Sequence, residues 1–319
     1  MAGVWVLAEG REQTLELLNI GQMLAAELGA QLAAFLWEDQ KLAQEYIDHG
    51  ADEVLWLPPL SEDQPLEAYI PTIVEASRQA DPDIFLVGGT LRGKDMAARI
   101  AAQLNAGLVS GCTSLKWEPA EKRLVMERLV FGGIATQTLV CQTRPQMATV
   151  PPRTFTIAAP QIGRVGKIRE LPAPLSSVVK VISRRTKLRE FADLSEAKVI
   201  VGVGRGLAKS EDINLARELA STIGAALGCT RPIAEDLNWM PADSYIGISG
   251  QRVKPELYIG VGISGQIHHL TGIRDAKVIC AINADENAPI FEAADYGIVG
   301  NLYEVLPKLT QEFKKALKK

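Results

Sequence analysis

From its first residues the chain alternates two kinds of hydrophobic pattern. Continuous apolar runs, "VWVLAE" (4–9), "LAAFLW" (32–37), "EVLWLP" (53–58) and "DIFLVGG" (83–89), are strand-like. Between them lie segments with helical spacing. Leu17, Ile20, Leu24 and Leu28 share one face, a polar helix-like stretch follows 37, and a longer helix is predicted near 66–80. A further helix over roughly 92–104 carries Met96, Ile100 and Leu104 at i, i+4. Strands buried on both faces and separated by amphipathic helices predict a doubly wound parallel sheet with right-handed connections.

After about residue 110 the pattern changes. "CTSLKW", "RLVMERLVF", "IATQTLVC" and "RTFTIA" are β-rich and separated by turn signals at Glu118-Pro119 and Gly132-Gly133, which predicts a β-meander added to the first domain. A proline- and glycine-punctuated stretch over 160–196 carries the basic run Lys180, Arg184, Arg185, Lys187 and Arg189, read as a solvated strand and linker. The domain boundary is placed near 193, giving domains 1–193 and 194–319. The alternation then restarts: strand "KVIVGVGRG" (198–206), a helix over roughly 211–227, strands "ELYIGVG" (256–262), "KVICAIN" (277–283) and "YGIVG" (296–300), and a basic amphipathic helix from Leu302 to the end.

Composition narrows the function classes. A chain of 319 residues is long enough for two cored domains, and 47% hydrophobic with 23% charged residues is ordinary for a globular protein. A net charge of −4 gives no nucleic-acid footprint. The four cysteines, Cys112, Cys141, Cys229 and Cys280, form no CxxC pair, which argues against a disulfide framework or structural zinc and for a reducing compartment. No apolar run reaches the roughly 18–20 residues that span a bilayer, and the N-terminus lacks a signal-peptide pattern. The expectation is a cytoplasmic protein without membrane insertion.

Candidate chemistry gathers in the second half. "GVGRG" after the strand at 198 does not complete a GxGxxG fingerprint, because the third glycine would fall at Leu207. Ser210 is the expected N-cap of the next helix, and Glu211 and Asp212 in its first turn would repel a pyrophosphate. "GISGQIHH" is a better anion cradle. It puts Ser264 and Gly265 where a strand gives way to a short helix with no acid nearby, although the same turn also reads as a bare corner. Two of the chain's three histidines, His268 and His269, are adjacent there, so at most one can aim at a given target. "GCTRP", expected directly after a helix, adds Thr230 and Arg231, and "GISGQ" at 247–251 adds Ser249 among glycines. A guanidinium, hydroxyls and an imidazole around a phosphate cradle make an inventory for holding a cofactor. No nucleophile–base pair, carboxylate dyad or metal cluster accompanies them.

The stretch "ELYIGVGISGQIHHLTG" followed by "AINADENAPIFEAADYGIVGNL" resembles the C-terminal signature of electron transfer flavoprotein α subunits. "GVGRGL" and "GCTRP" stand in the right order upstream. Weaker similarity in "AEGR", "GADEV", "LRGKDMAARIAAQLNAGLVSGCT" and "PQMATV" extends the resemblance over essentially the whole chain. The resemblance implies a Rossmann-like α/β C-terminal domain that binds FAD against a β subunit. It implies an electron carrier, not an enzyme, serving an acyl-CoA dehydrogenase-like flavin-dependent dehydrogenase or a bifurcating complex. It implies that Arg205 contacts FAD and that Thr230 stands where the family has Ser. Arg231 would be the cation beside the isoalloxazine, and the turn Gly247, Ile248, Ser249 and Gly250 would bring a hydroxyl to N5. Ser264, Gly265, Gln266, Ile267 and His268 would wrap the pyrophosphate and ribityl chain, and His269 would lie near O2 and N1. Asn283, with Asn301 and Leu302, would reach the adenosine half. The sequence departs from the family pattern at Ile248, Gln251, Gln266, His268, Asn301 and Pro151. The alternative reading is a stand-alone nucleotide-dependent oxidoreductase using the same crevice.

Overall fold

The structure is a computed structural model that describes residues 3–174, 177, 179–184, 194 and 197–317. Its chain divides into two compact units, 1–185 and 186–319. The expected boundary near 193 and the basic residues Arg185, Lys187 and Arg189 lie outside the described residues. Of that basic run, Lys180 pairs with Asp63 at 3.3 Å and Arg184 donates to the Gln64 carbonyl at 3.0 Å.

In the first unit, β1 (Val4–Leu7), α1 (Arg11–Leu28), β2 (Leu32–Leu36), α2 (Ala43–Asp48), β3 (Glu53–Trp56), α3 (Ile70–Ala80), β4 (Ile84–Gly88) and α4 (Leu91–Leu104) follow the predicted alternation. Local chemistry sets the helix ends. Gly29 closes α1 at φ 64°, and the Thr90 hydroxyl caps α4 by accepting the Gly93 N–H at 2.9 Å. Then come β5 (Leu108–Val109), β6 (Cys112–Glu118), β7 (Arg123–Val130), β8 (Ala135–Leu139), β9 (Gln146–Val150) and β10 (Lys167–Glu170). The parallel sheet runs β10-β3-β2-β1-β4-β9-β5, and β6-β7-β8 form the expected antiparallel meander. "RTFTIA" forms no strand. Instead the Arg153 N–H is bound by the Glu16 carboxylate at 2.9 Å and the Asn19 side chain donates to the Thr156 carbonyl at 2.7 Å, so these backbone groups bond to α1 and not to a sheet.

The second unit contains β11 (Val199–Val203), α5 (Ile213–Ile223), β12 (Ala226–Cys229), β13 (Leu257–Val261), α6 (Ile267–Ile273), β14 (Val278–Asn283), α7 (Ile290–Ala293), β15 (Tyr296–Val299) and α8 (Leu302–Leu317). All its strands are parallel, in the order β12-β11-β13-β14-β15. Alternating side chains build two cores. Val201, Val203, Ile259 and Val261 pack with Leu219 and Leu306 of α5 and α8, while Ile200, Tyr258 and Ile279 pack with Ile273 and Ile290 on the other face. Each fully buried Leu or Ile there contributes about 1.5–3 kcal/mol.

Two expectations are corrected. The helix predicted over 211–227 ends at Ile223, because Gly224 adopts φ 67° and the chain turns into β12. Thr230 therefore follows a strand, not a helix. Ser210 is not the N-cap either: Lys209 holds that position, and the Asp212 carboxylate accepts its N–H at 3.2 Å. Among the described residues no helix is long and apolar enough to cross a membrane.

Candidate functional site

The strand order of the second unit reverses between β11 and β13, and a parallel sheet opens a crevice at the carboxyl ends of its strands where that happens. The turns after those strands meet there. Gly204 N–H donates to the Val261 carbonyl and Gly206 N–H to the Gly262 carbonyl, both at 2.9 Å. This approach needs bare backbone, since a Cβ on Gly206 would lie 2.6 Å from the Gly262 Cα. Gly265, at φ 84°, turns the chain from β13 into α6 and packs directly against the Ile290 backbone.

The result is a cavity of about 470 Å³, within the range of about 300–1,000 Å³ typical of small-molecule sites. It gathers Arg205, Thr230, Arg231, Gly247, Ile248, Ser249, Ser264, Gly265, Gln266, His268, His269 and Asn283 from the sequence-predicted set. Gly250, Ile267, Asn301 and Leu302 lie outside its walls. Gly250 packs on the Tyr245 ring and Ile267 is exposed. The Asn301 side chain accepts the Tyr303 N–H at 3.0 Å at the start of α8, and Leu302 is buried in the core. The "GVGRG" turn, set aside from the sequence as no dinucleotide fingerprint, supplies Gly204, Arg205 and Gly206 to the wall. Tyr245, Gly262, Asp285 and Pro289 also line it; the last three fall within the stretches that carry the resemblance, whereas Tyr245 lies in no motif or periodic pattern.

Several side chains are held differently from expectation. His269 is 6% exposed, its Nδ1 faces the Ile246 carbonyl at 3.0 Å, and its Nε2 faces the Tyr258 hydroxyl at 2.8 Å. A carbonyl only accepts, so Nδ1 carries the proton and Tyr258 donates to Nε2. Burial drives the imidazole pKa down to about 4, partly offset by the Ile246 carbonyl, so the ring is neutral near pH 7. The expected donor toward O2 and N1 thus has both nitrogens engaged within the protein. Tyr258 is itself buried, which raises its pKa and keeps its proton on.

Arg231 is exposed and its Nε donates to Glu235 at 2.6 Å, one helical turn on, which raises its pKa further. The guanidinium is an ion-pair member, not a bare cation. Asn283 uses both ends of its amide, donating to the Ile263 carbonyl at 2.8 Å and accepting the Asp285 N–H at 3.0 Å. It therefore ties the 263 and 285 turns together. The 247–251 turn closes on itself through Gly247 N–H to the Gln251 carbonyl at 3.1 Å, and Ile248 N–H binds the His268 carbonyl at 2.8 Å.

What remains directed at the cavity is a set of donors. The guanidinium of Arg205 is exposed on one wall, and α6 begins at the cavity without a side-chain cap on its first turn. The hydroxyls of Thr230, Ser249 and Ser264 surround them. A glycine-cornered cradle with two arginines and helix-start N–H groups fits an elongated cofactor carrying a pyrophosphate. Among the described residues no group of His, Cys, Asp and Glu is arranged to hold a metal.

The electron transfer flavoprotein domain matches residues 4–176, and the electron transfer flavoprotein FAD-binding domain matches 193–274. The chain is 38% identical to the electron transfer flavoprotein subunit alpha of Clostridium acetobutylicum over 98% of its length and 97% of that protein's. It is also 38% identical to protein FixB of Clostridium saccharobutylicum, over 99% and 97% of the two chains. A subunit alpha from Thermoanaerobacterium thermosaccharolyticum is 36% identical over 98% of each chain.

Proposed function

The chain belongs to the electron transfer flavoprotein α-subunit family, electron carriers that hold FAD and pair with a β subunit, and on that premise we propose that the crevice at the carboxyl ends of β11 and β13 is its FAD seat. The observation that carries this reading is the convergence of four turns, at 204–206, 230–232, 245–249 and 262–266, three of them glycine-bearing, on one cavity provided with cations and free N–H groups. In this reading Arg205 and the opening of α6 neutralise the pyrophosphate, as helix starts do for anions. Ser264, Gly265 and Gln266 line the path of the ribityl chain. Arg231 and the hydroxyl of Ser249 face the isoalloxazine, which supplies the redox chemistry when bound.

The contributions of the protein are electrostatic. Reduction adds negative charge to the ring, so a fixed cation and oriented hydroxyls favour the reduced cofactor without reorganising. Arg231 keeps its charge at any working pH. Its pairing with Glu235 moderates that charge. Neutral His269 acts through the backbone: by holding the Ile246 carbonyl and the start of α6 it fixes where the 247–251 turn presents Ser249. None of these groups forms a nucleophile–base set, which fits an electron carrier better than a stand-alone oxidoreductase.

We further propose that the partner on the donor side is an acyl-CoA dehydrogenase-like flavoenzyme. Support comes from the family alone, and a bifurcating role is equally compatible with the α-subunit fold. Co-expression with the β subunit tests the first claim: a yellow heterodimer should release FAD on denaturation, and substituting Gly265→Val should abolish its retention at the α site. Full FAD retention in that variant would refute the seat proposed here. Reduction of the heterodimer by an acyl-CoA dehydrogenase and its substrate tests the second.

A further inference from the structure

We propose that Tyr245 is a positioning residue that sets the direction of the Ser249 hydroxyl, and so determines what that hydroxyl offers the cofactor. The inference rests on the reading above that Ser249 faces the isoalloxazine.

Tyr245 leaves a short helical turn at Ala242–Ser244 in extended conformation and is 5% exposed. Its backbone bridges to the end of β12, with Ile246 N–H on the Cys229 carbonyl at 2.8 Å. The glycine turn then folds over its ring. A Cβ at Gly250 would lie 2.6 Å from Tyr245 Cε2, and one at Gly247 would lie 3.1 Å from the same atom. These two glycines are therefore spaced to admit an aromatic ring beneath the turn, and Gln251 N–H returns to the Tyr245 carbonyl at 2.9 Å to lock it. At the tip of this arrangement the Tyr245 Oη and the Ser249 Oγ are hydrogen-bonded, and both residues line the cavity.

Each hydroxyl has a single proton, so one of them must donate to the other. A phenolic O–H is a stronger hydrogen-bond donor than an aliphatic alcohol, while the serine oxygen is the better acceptor. Tyr245 therefore donates to Ser249. The serine's own proton must then point elsewhere, and the cavity is the space it faces. Ser249 becomes an oriented donor toward a ring acceptor such as N5, not a hydroxyl free to rotate. Without the phenol, the Ser249 proton can turn back toward the protein, and the oriented bond to the cofactor is lost for much of the time.

The test uses the reconstituted heterodimer and reads the first one-electron reduction potential of its FAD, with thermal unfolding and FAD affinity as controls. Tyr245→Phe keeps the ring that supports the glycine turn. The potential should shift in the same direction as in Ser249→Ala, with about fivefold less preference for the reduced cofactor, the loss expected for one hydrogen bond. The double variant should go no further than Ser249→Ala. Replacing Tyr245 with 3-fluorotyrosine, a stronger donor of nearly the same shape, should shift the potential the opposite way, and this arm stands even if the phenylalanine variant fails to assemble. A shift in Ser249→Ala with no response to either change at 245 would overturn the inference while leaving the cofactor assignment intact. Additive shifts would also overturn it, since Tyr245 would then act by another route. No shift in Ser249→Ala would show that Ser249 does not face the ring, and the reading beneath the inference would fall with it.

Discussion

His269 offers a quantitative test of how the crevice side of the second unit is held. The imidazole is buried and neutral, with a pKa near 4 against an ordinary value of 6.5. The unfolded chain therefore binds the proton more readily than the folded one. The sign follows from this: stability is fully present above pH 6.5 and is lost as the pH falls from 6.5 toward 4. At about 1.4 kcal/mol per unit, the shift amounts to roughly 3 kcal/mol, of which roughly 2–3 kcal/mol should be gone by pH 4.5. Other groups titrate over the same range, so the informative quantity is the difference between the wild type and His269→Gln. Urea unfolding of the cofactor-free chain, followed by hydrogen exchange in the β13 peptide, isolates the second unit from the first. Wild type should exceed the variant at pH 7, and the gap should close by roughly 2–3 kcal/mol at pH 4.5. A gap independent of pH would mean that the imidazole is not held buried between Tyr258 and the Ile246 carbonyl.

Other substitutions probe separate parts of the account. Tyr258→Phe strips Nε2 of its donor, and should cost about 1–3 kcal/mol in the same unfolding assay without displacing the ring. Arg231→Gln should weaken the preference for reduced over oxidised FAD, whereas Glu235→Gln, which frees the guanidinium, should strengthen it; potentiometric titration of the heterodimer separates the two. Cys229, fully buried with its thiol pushed up to about 12, should resist alkylation at pH 8 in the native protein and react only after denaturation, as mass spectrometry of the modified peptides would show.

The main lines of the fold were legible because the two larger sheets are parallel and covered on both faces, which leaves continuous apolar runs such as those at β1, β4, β11 and β13. β12 escaped because "ALGC" is short and contains a glycine, so the helical pattern before it extended across Gly224. Most of the site was legible through the glycine turns, which must be glycine where two backbones meet, as at Gly206 and Gly262. What the sequence could not convey was how polar groups would be spent. The pairing of His269 with Tyr258, of Asn283 with two separate turns and of Tyr245 with Ser249 depends on tertiary approach between residues whose spacing carries no periodic signal. Asn301 and Leu302 were drawn into the expected site by the family signature alone, and in the structure they serve the start of α8.

The most direct measurement is hydrogen exchange of the cofactor-stripped heterodimer before and after FAD is added. Protection should rise in the α chain at four separate places: 204–206, 230–232, 245–251 and 262–268. Protection confined to residues 1–185, or absent from those four turns while FAD is bound, would contradict the claim that they form its seat.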